Sequence, residues 1–318
     1  MRYSKVYPKT RREVPRDAQS PGTQRIIQAG FIHQTSAGIF SWTPLGLQVR
    51  RRAEQIVREE MERIGAVELE LPILQARSFW DETNRWVKYE RAGVSFRLKD
   101  RKGAEYMLAP TAEELVTEYA RTYLTSHRDL PVTLWQMSPK FRDELRPRQG
   151  LVRGREFVMK DAYSFGRNEE DMRAAYQAMA EAYVRVFTRA SFDFVKVEAD
   201  SGAIGGQGSA EFMAVTEYGE DVLLRCPGCD YGANQEKATT VFSYADEPLE
   251  VLVRLPTPNI RTVEELVSFT GIPAAKMVKT IVMMADGWPV IVSMRGDLEI
   301  SEVKLANPAL TDPAVLNK

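Results

Sequence analysis

Histidine is nearly missing from this chain of 318 residues: His33 and His127 are the whole supply. That scarcity argues against hydrolysis by a histidine-held metal or by a serine–histidine pair. Cysteine is equally rare, with Cys226 and Cys229 alone in the run Cys-Pro-Gly-Cys. Two cysteines make no disulfide framework. A tetrahedral zinc site needs four ligands, and the sequence holds no second pair. No apolar run approaches the roughly 18 residues of a membrane span. No apolar stretch follows Met1-Arg2-Tyr3-Ser4-Lys5, as a secretory signal requires. The net charge of −1 leaves no global attraction to nucleic acid. These absences predict a cytoplasmic protein with no membrane segment and no side-chain metal site.

With 44% hydrophobic residues, the chain can fill one large core or two domains. Thr43-Pro44 opens a helix, with threonine suited to the N-cap and proline to the first helical position. Val49, Ala53, Ile56, Val57, Met61 and Ile64 form its apolar stripe, and Gly65 suits the stop. A strand over Val67–Leu74 follows, near Pro72. A second helix is predicted from Thr111 to Leu124, with Leu115, Val116, Tyr119 and Tyr123 on one side. Thr111 is its expected N-cap and Glu114 the capping-box partner. A third runs from Asn168 to Ala190. Strand-like runs lie at Val132–Met137, Glu156–Lys160, Phe192–Glu198, Glu211–Thr216 and Asp221–Leu224. Short turns between several of them favour an antiparallel sheet with helices packed on it, an α+β fold.

The texture changes near Arg225, where Cys226–Pro248 reads as a connector. A new unit begins near Val251. Thr262-Val263-Glu264-Glu265 is a capping box on a short helix stopped by Gly271. Met277–Ala285 and Pro289–Arg295 are strands around Asp286-Gly287, a hairpin signal. The division expected is 1–225, 226–250 and 251–318.

Residues 141–163 carry the most chemistry. Phe141-Arg142-Asp143-Glu144 leads into a basic loop, and Arg153-Gly154-Arg155-Glu156-Phe157 and Lys160-Asp161-Ala162-Tyr163 return. Such a hairpin suits ATP, with a guanidinium on the phosphates and a ring against the adenine. Its plainer reading is an exposed hairpin on which Arg142 pairs with Glu144. Lys140, Arg142, Arg146, Arg148, Arg153 and Arg155 also make Lys140–Glu156 the local candidate for RNA contact.

The run from Trp135 to Phe165 resembles motif 2 of class II aminoacyl-tRNA synthetases, and its flanks are similar to the bacterial-type prolyl-tRNA synthetases. Gly65-Ala66-Val67-Glu68 to Leu71-Pro72 resembles motif 1, which implies a homodimer formed there. The resemblance implies a class II antiparallel sheet flanked by helices, followed by the start of a small inserted α/β domain. It implies ATP and Mg2+ as cofactors, with proline and tRNA(Pro) as substrates. It gives Arg142 the α-phosphate and the substrate carboxylate, Glu144 the adenine amino group, Phe157 the adenine ring, and Arg153 or Arg155 other phosphates. Thr111 and Glu113 would grip the imino group of proline, and Gly205-Gly206 would floor the pocket. The family carries histidine where this chain has Ala112 and Ala210.

Lys279 shares a predicted face with Met277, Ile281 and Met283. A lysine there snorkels at a sheet edge or is held for a purpose. The resemblance puts it in an editing domain that hydrolyses alanyl-tRNA(Pro). Motif 3 and the anticodon-binding domain of the family are not found within 1–318, so this chain alone is expected to charge tRNA weakly or not at all. Two rivals remain: a non-catalytic synthetase-like module that binds ATP, an amino acid or a partner protein, and a basic RNA-binding protein. Metal analysis of purified protein is expected to find zinc well below one ion per chain, and a stoichiometric ion would overturn the reading of Cys226 and Cys229.

Overall fold

The structure is a computed structural model that describes residues 2–13, 20–199, 209–219, 221–229, 231–235, 237–238, 251–285 and 288–305. The chain divides into two compact units, Met1–Phe194 with Ala214–Tyr218, and Val195–Met213 with Gly219–Lys318.

In the first unit, helix α1 (Pro21–Gln28) leads into an antiparallel hairpin of β1 (Ile32–Ser36) and β2 (Ile39–Trp42). Helix α2 (Pro44–Arg63) then begins as predicted: Pro44 opens it, and the Thr43 hydroxyl accepts from Gly46 N at 3.2 Å. The same hydroxyl donates to Gly30 O at 2.6 Å. Glycine is needed at position 46, because a Cβ there would lie 1.9 Å from the Phe31 carbonyl oxygen. Past Ile64, the left-handed Gly65 (φ +73°) turns the chain out of the helix. The stripe is buried around Met61, whereas Val49 is exposed.

The strand predicted over Val67–Leu74 is two short ones, β3 (Val67–Glu68) and β4 (Leu74–Ala76). Between them the backbone takes other partners: Leu69 N donates to Trp135 O, and Leu71 N donates to the Gln136 side chain. Helices α3 (Arg77–Glu82) and α4 (Arg85–Ala92) and strands β5 (Arg97–Lys99) and β6 (Glu105–Leu108) follow. Strands β4, β6 and β5 form one antiparallel sheet. Trp80, Trp86 and Met107 pack together in its core.

Helix α5 (Glu113–Tyr123) starts two residues later than expected. Its buried face is Leu115, Val116 and Ala120, while Tyr119 and Tyr123 are exposed and lie against each other at 4.7 Å. The central element is the long hairpin of β7 (Val132–Phe141) and β8 (Glu156–Phe165), with β3 parallel to β7. Its two strands reach four or five residues beyond the stretches predicted. Register pairs Lys140 with Phe157 and Gln136 with Asp161, so these residues share one face. On the opposite face Trp135 packs with Met61, Ala66 and Ala182. Helix α6 (Glu169–Arg189) is capped by Asn168, the first residue of the stretch predicted to be helical.

Helices α2 and α6 are joined through a buried carboxylate. Glu60 accepts from Arg185 Nε and Arg189 Nη1, each at 2.7 Å. Burial acts against its charge, but the two arginine hydrogen bonds outweigh that and hold its pKa below the usual range.

In the second unit, β9 (Phe194–Ala199), β10 (Ser209–Ala214), β11 (Leu223–Arg225) and β12 (Gly232–Asn234) form a sheet in the order β10-β9-β12-β11. Helix α7 (Val263–Thr270) carries the predicted capping box of Thr262 and Glu265, and Gly271 ends it in the left-handed region. Strands β13 (Val278–Ala285) and β14 (Trp288–Arg295) pair antiparallel along their full length. The predicted turn residues Asp286-Gly287 lie outside the described residues. Helix α8 (Glu302–Leu305) follows. Among the described residues, no helix is long and apolar enough to cross a membrane.

Replacing Glu60 by Gln is expected to lower unfolding free energy by about 2 kcal/mol, since two partly exposed arginines lose a charged partner. The Glu60 contribution is present above the unfolded carboxylate pKa and is lost as pH falls through the lower folded value. Urea denaturation at neutral and acid pH reads both effects; equal stability of variant and wild type at neutral pH would contradict the assignment.

Candidate active site

Two charges lie buried between the strands of the β7–β8 hairpin. Lys140 Nζ donates to Asp161 Oδ1 at 2.9 Å and to Ser138 Oγ at 2.5 Å. Gln136 Nε2 donates to Asp161 Oδ2 at 2.8 Å, and the Tyr163 hydroxyl donates to the same oxygen at 2.7 Å. Strand alternation brings all five side chains to one face, where each polar group meets a partner rather than water. Lys140 is fully buried there. It is therefore withdrawn from the basic surface to which the sequence reading assigned it.

The network reaches the loop before α5. Ala112 N donates to the Tyr163 hydroxyl at 3.1 Å. Burial, and then the bond to Asp161, push the Tyr163 phenol above its ordinary pKa, so it stays protonated. Gln75 Nε2 donates to Thr111 O at 3.1 Å, while Trp80 Nε1 donates to Gln75 Oε1 at 3.0 Å. The loop is thus held from two sheets.

This anchoring replaces the predicted capping box. Ala112 occupies the N-cap position and makes no side-chain cap. The Thr111 hydroxyl instead donates to Glu113 Oε2 at 2.6 Å. Glu114 turns away, its Oε1 accepting from Thr83 Oγ1 at 3.1 Å and from Arg85 Nη1 at 2.9 Å. Glu113 Oε2 also accepts from Arg85 Nη1, at 3.2 Å. The capping geometry loses because both of its side chains have charged or hydrogen-bonding partners elsewhere.

The end of β7 brings Arg142 to the same loop. Phe141 N donates to Ala109 O at 2.9 Å, and Arg142 Nη2 reaches Pro110 O at 3.5 Å, one residue before Thr111. The Arg142 guanidinium lies over the Phe157 ring, 5.4 Å from its centroid. The alternative pairing of Arg142 with Glu144 gives way to a different pair. Glu144 Oε2 accepts from Arg153 Nε at 2.9 Å, and Glu144 O accepts from Arg155 Nε at 3.1 Å. Arg153 and Arg155 thus converge on Glu144. Arg155 N also donates to the Gly38 carbonyl at 2.7 Å. Gly38, at φ +74°, leaves room for this approach and for Pro147.

Arg142, Thr111, Glu113 and Phe157 are therefore neighbours, with Glu144, Arg153 and Arg155 around the hairpin end. Gly205 and Gly206 lie outside the described residues. Lys279 belongs to the second unit, half-buried on a face with Met277, Ile281 and Met283, and lies 3.3 Å from Glu299 Oε1. Sequence reasoning assigned no role to Gln75, Arg85 or Gln136. Period-2 alternation of polar residues in the apolar strand β7 was the available signal for Gln136. The carboxylates that Arg85 meets lie nearly thirty residues on, in α5, beyond the reach of a local sequence pattern.

The chain belongs to the class II core domain family of tRNA synthetases (G, H, P, S and T), whose model matches residues 96–281. A second model, the aminoacyl-tRNA editing domain, matches residues 257–314. The chain is 46% identical over 305 residues to a proline--tRNA ligase of Acidithiobacillus ferrooxidans, covering 96% of this chain and 53% of that protein. It is 47% identical over 307 residues to the proline--tRNA ligase of Geobacter metallireducens, with the same coverage. The chain thus spans about half the length of the curated relatives it matches. Its fold is similar to that of a prolyl-tRNA synthetase from Cryptosporidium parvum solved with L-proline and AMP. The TM-score is 0.52 at 15% identity, over 60% of this chain and 39% of that one. That likeness bears out the α+β class II architecture read from the motifs.

Replacing Tyr163 by Phe removes the acceptor for Ala112 N and leaves Asp161 one donor short. The expected cost is about 1–2 kcal/mol, with faster amide hydrogen exchange at Ala112. Unchanged exchange there would show that Tyr163 does not hold the loop.

Proposed function

We propose that this chain is part of a proline--tRNA ligase of the bacterial type, and that its first unit joins proline to ATP as prolyl-adenylate. The observation that carries this reading is the position of Arg142. Its guanidinium lies against Phe157 and reaches the Pro110 carbonyl beside Thr111 and Glu113. On this reading one planar cation would serve both the nucleotide and the amino acid.

In the proposed reaction, a carboxylate oxygen of proline attacks the α-phosphorus of ATP. The bond from that phosphorus to the bridging oxygen breaks, and pyrophosphate leaves with the electron pair. The nucleophile is already ionised at neutral pH, so no general base is needed. The requirement is that two anions approach while charge builds on phosphorus. Arg142 meets it by donating to both. Phe157 would stack on the adenine, Glu144 would accept from its amino group, and Arg153 or Arg155 would follow the outer phosphates. Thr111 and Glu113 would hold the secondary ammonium of proline, and Gly205 and Gly206 would floor the pocket.

Among the described residues, no group of three or more His, Cys, Asp or Glu side chains could hold a metal ion. Mg2+ would enter with the nucleotide and offset charge on its phosphates. The remainder of the proposal is transfer of proline to tRNA(Pro), in the cytoplasm, by a homodimer formed through α2 and β3. We divide the chain into a catalytic core over 1–225, a connector over 226–250 and part of an editing domain over 251–318, where Lys279 would act. The match of residues 257–314 to the editing model supports the last of these.

Arg142→Ala is expected to weaken ATP binding to this chain at least tenfold, the loss of about one charged hydrogen-bonded contact. Titration calorimetry with ATP, with and without L-proline, measures it. ATP affinity indifferent to Arg142 would sink the proposal, as would proline binding by a variant that lacks both Thr111 and Glu113 side chains.

A further inference from the structure

Arg85 is absorbed by none of the roles above, yet it is the most heavily engaged cation near the site. It comes from the first residue of α4. Its Nη1 donates to Glu113 Oε2 at 3.2 Å and to Glu114 Oε1 at 2.9 Å. Its Nη2 donates to the Tyr89 hydroxyl at 2.7 Å. Its guanidinium also lies over the Trp80 and Tyr89 rings, at 5.3 and 5.0 Å from their centroids. Aromatic faces on one side and carboxylates on the other leave it one orientation.

The two carboxylates it joins are unequal. The Glu114 side chain is 1% exposed, and its Oε2 has no hydrogen-bond partner. Burial pushes its pKa up, and Arg85 is the main force in the opposite direction. Glu113 is one-third exposed and also receives the Thr111 hydroxyl. Two adjacent carboxylates this close resist full ionisation together unless a cation lies between them.

We propose that Arg85 is a positioning residue for the amino acid: held between Glu113 and buried Glu114, it keeps Glu113 aimed to receive the ammonium group of proline. The inference rests on the reading of Glu113 given under the proposed function. A cation bridging a bound carboxylate and a buried one explains why a second glutamate stays buried beside the first. It also explains why Thr111 serves Glu113 rather than the helix end.

The charged and titratable groups around the pair come from every neighbouring element. Arg85 and Tyr89 face it from α4, Glu82 from α3, Glu118 and Arg121 from the next turns of α5, Tyr163 with Asp161 from β8, and Arg142 from the end of β7 reaches the neighbouring loop. Arg121 is paired with Glu82 and Glu118, each at 3.0 Å. Arg85 is therefore the cation that meets Glu113 and Glu114 directly.

The test is binding of L-proline and, separately, of ATP to this chain across pH, by calorimetry, for wild type, Glu113→Gln, Arg85→Met and Arg85→Lys. Arg85→Met is expected to lose about tenfold or more in proline affinity at neutral pH. The pH profile of proline binding should change in Arg85→Met, while that of ATP binding does not. ATP affinity should be unchanged, and Arg85→Lys should recover part of the loss. A merely structural arginine would not move the pH profile of proline binding alone.

If Glu113→Gln binds proline like wild type, the reading of Glu113 fails and the inference falls with it. If Glu113→Gln loses proline while Arg85→Met keeps both affinity and pH profile, only the role of Arg85 is overturned. Should Arg85→Met fail to fold, Arg85→Lys decides, because it keeps the charge but not the fork that reaches both carboxylates. Proline affinity below wild type with ATP affinity unchanged supports the inference, and proline affinity equal to wild type overturns it.

Discussion

The ion pair of Lys140 with Asp161 is the constraint on which the first unit turns. A buried ammonium and carboxylate are costly to desolvate, and they hold only where geometry and further hydrogen bonds are good. Here Ser138, Gln136 and Tyr163 supply those bonds. The pair closes the two strands of the hairpin across its middle. Gln136 extends the grip to Leu71, and Tyr163 extends it to Ala112. One buried charge couple therefore sets the distance between the strand that delivers Arg142 and the loop that carries Thr111 and Glu113. The candidate site is preorganised by polar groups buried beneath it.

A second layer works by charge balance rather than by packing. Beside the proposed amino-acid pocket, Glu113 and the buried Glu114 are met by Arg85 from the preceding helix. Glu60 repeats the pattern between α2 and α6 with Arg185 and Arg189. In both places a carboxylate is buried because cations from another helix reach it. Such contacts fix how helices meet more sharply than apolar burial does, since a displaced partner leaves a bare charge.

Much of this was legible in the sequence, for local reasons. Thr43-Pro44, Asn168 and Thr262 with Glu265 mark helix starts whose capping needs only near neighbours. The motif 2 resemblance placed Arg142 and Phe157 on one hairpin, where the structure also has them. What stayed hidden depends on partners far along the chain. The capping box at Thr111 is locally sound but loses to Arg85 and Thr83, which lie some thirty residues earlier. Lys140 reads as one more basic residue in a charged run until Asp161, twenty-one residues on, takes it inside. The strand expected through Leu71 breaks because a glutamine side chain 65 residues away captures a backbone donor.

The clasp between Glu144 and Arg153 gives the hairpin end a resting arrangement with its own charges satisfied. On the proposed reading, an adenine that claims Glu144 displaces Arg153, which can then swing to the phosphates of the same molecule. Recognition of the base and capture of the triphosphate become one swap of partners. A compound offering only a base, or only phosphates, strands one of the two side chains and forfeits half the gain. On that reading, a surface ion pair that contributes little to folding would favour intact nucleotides.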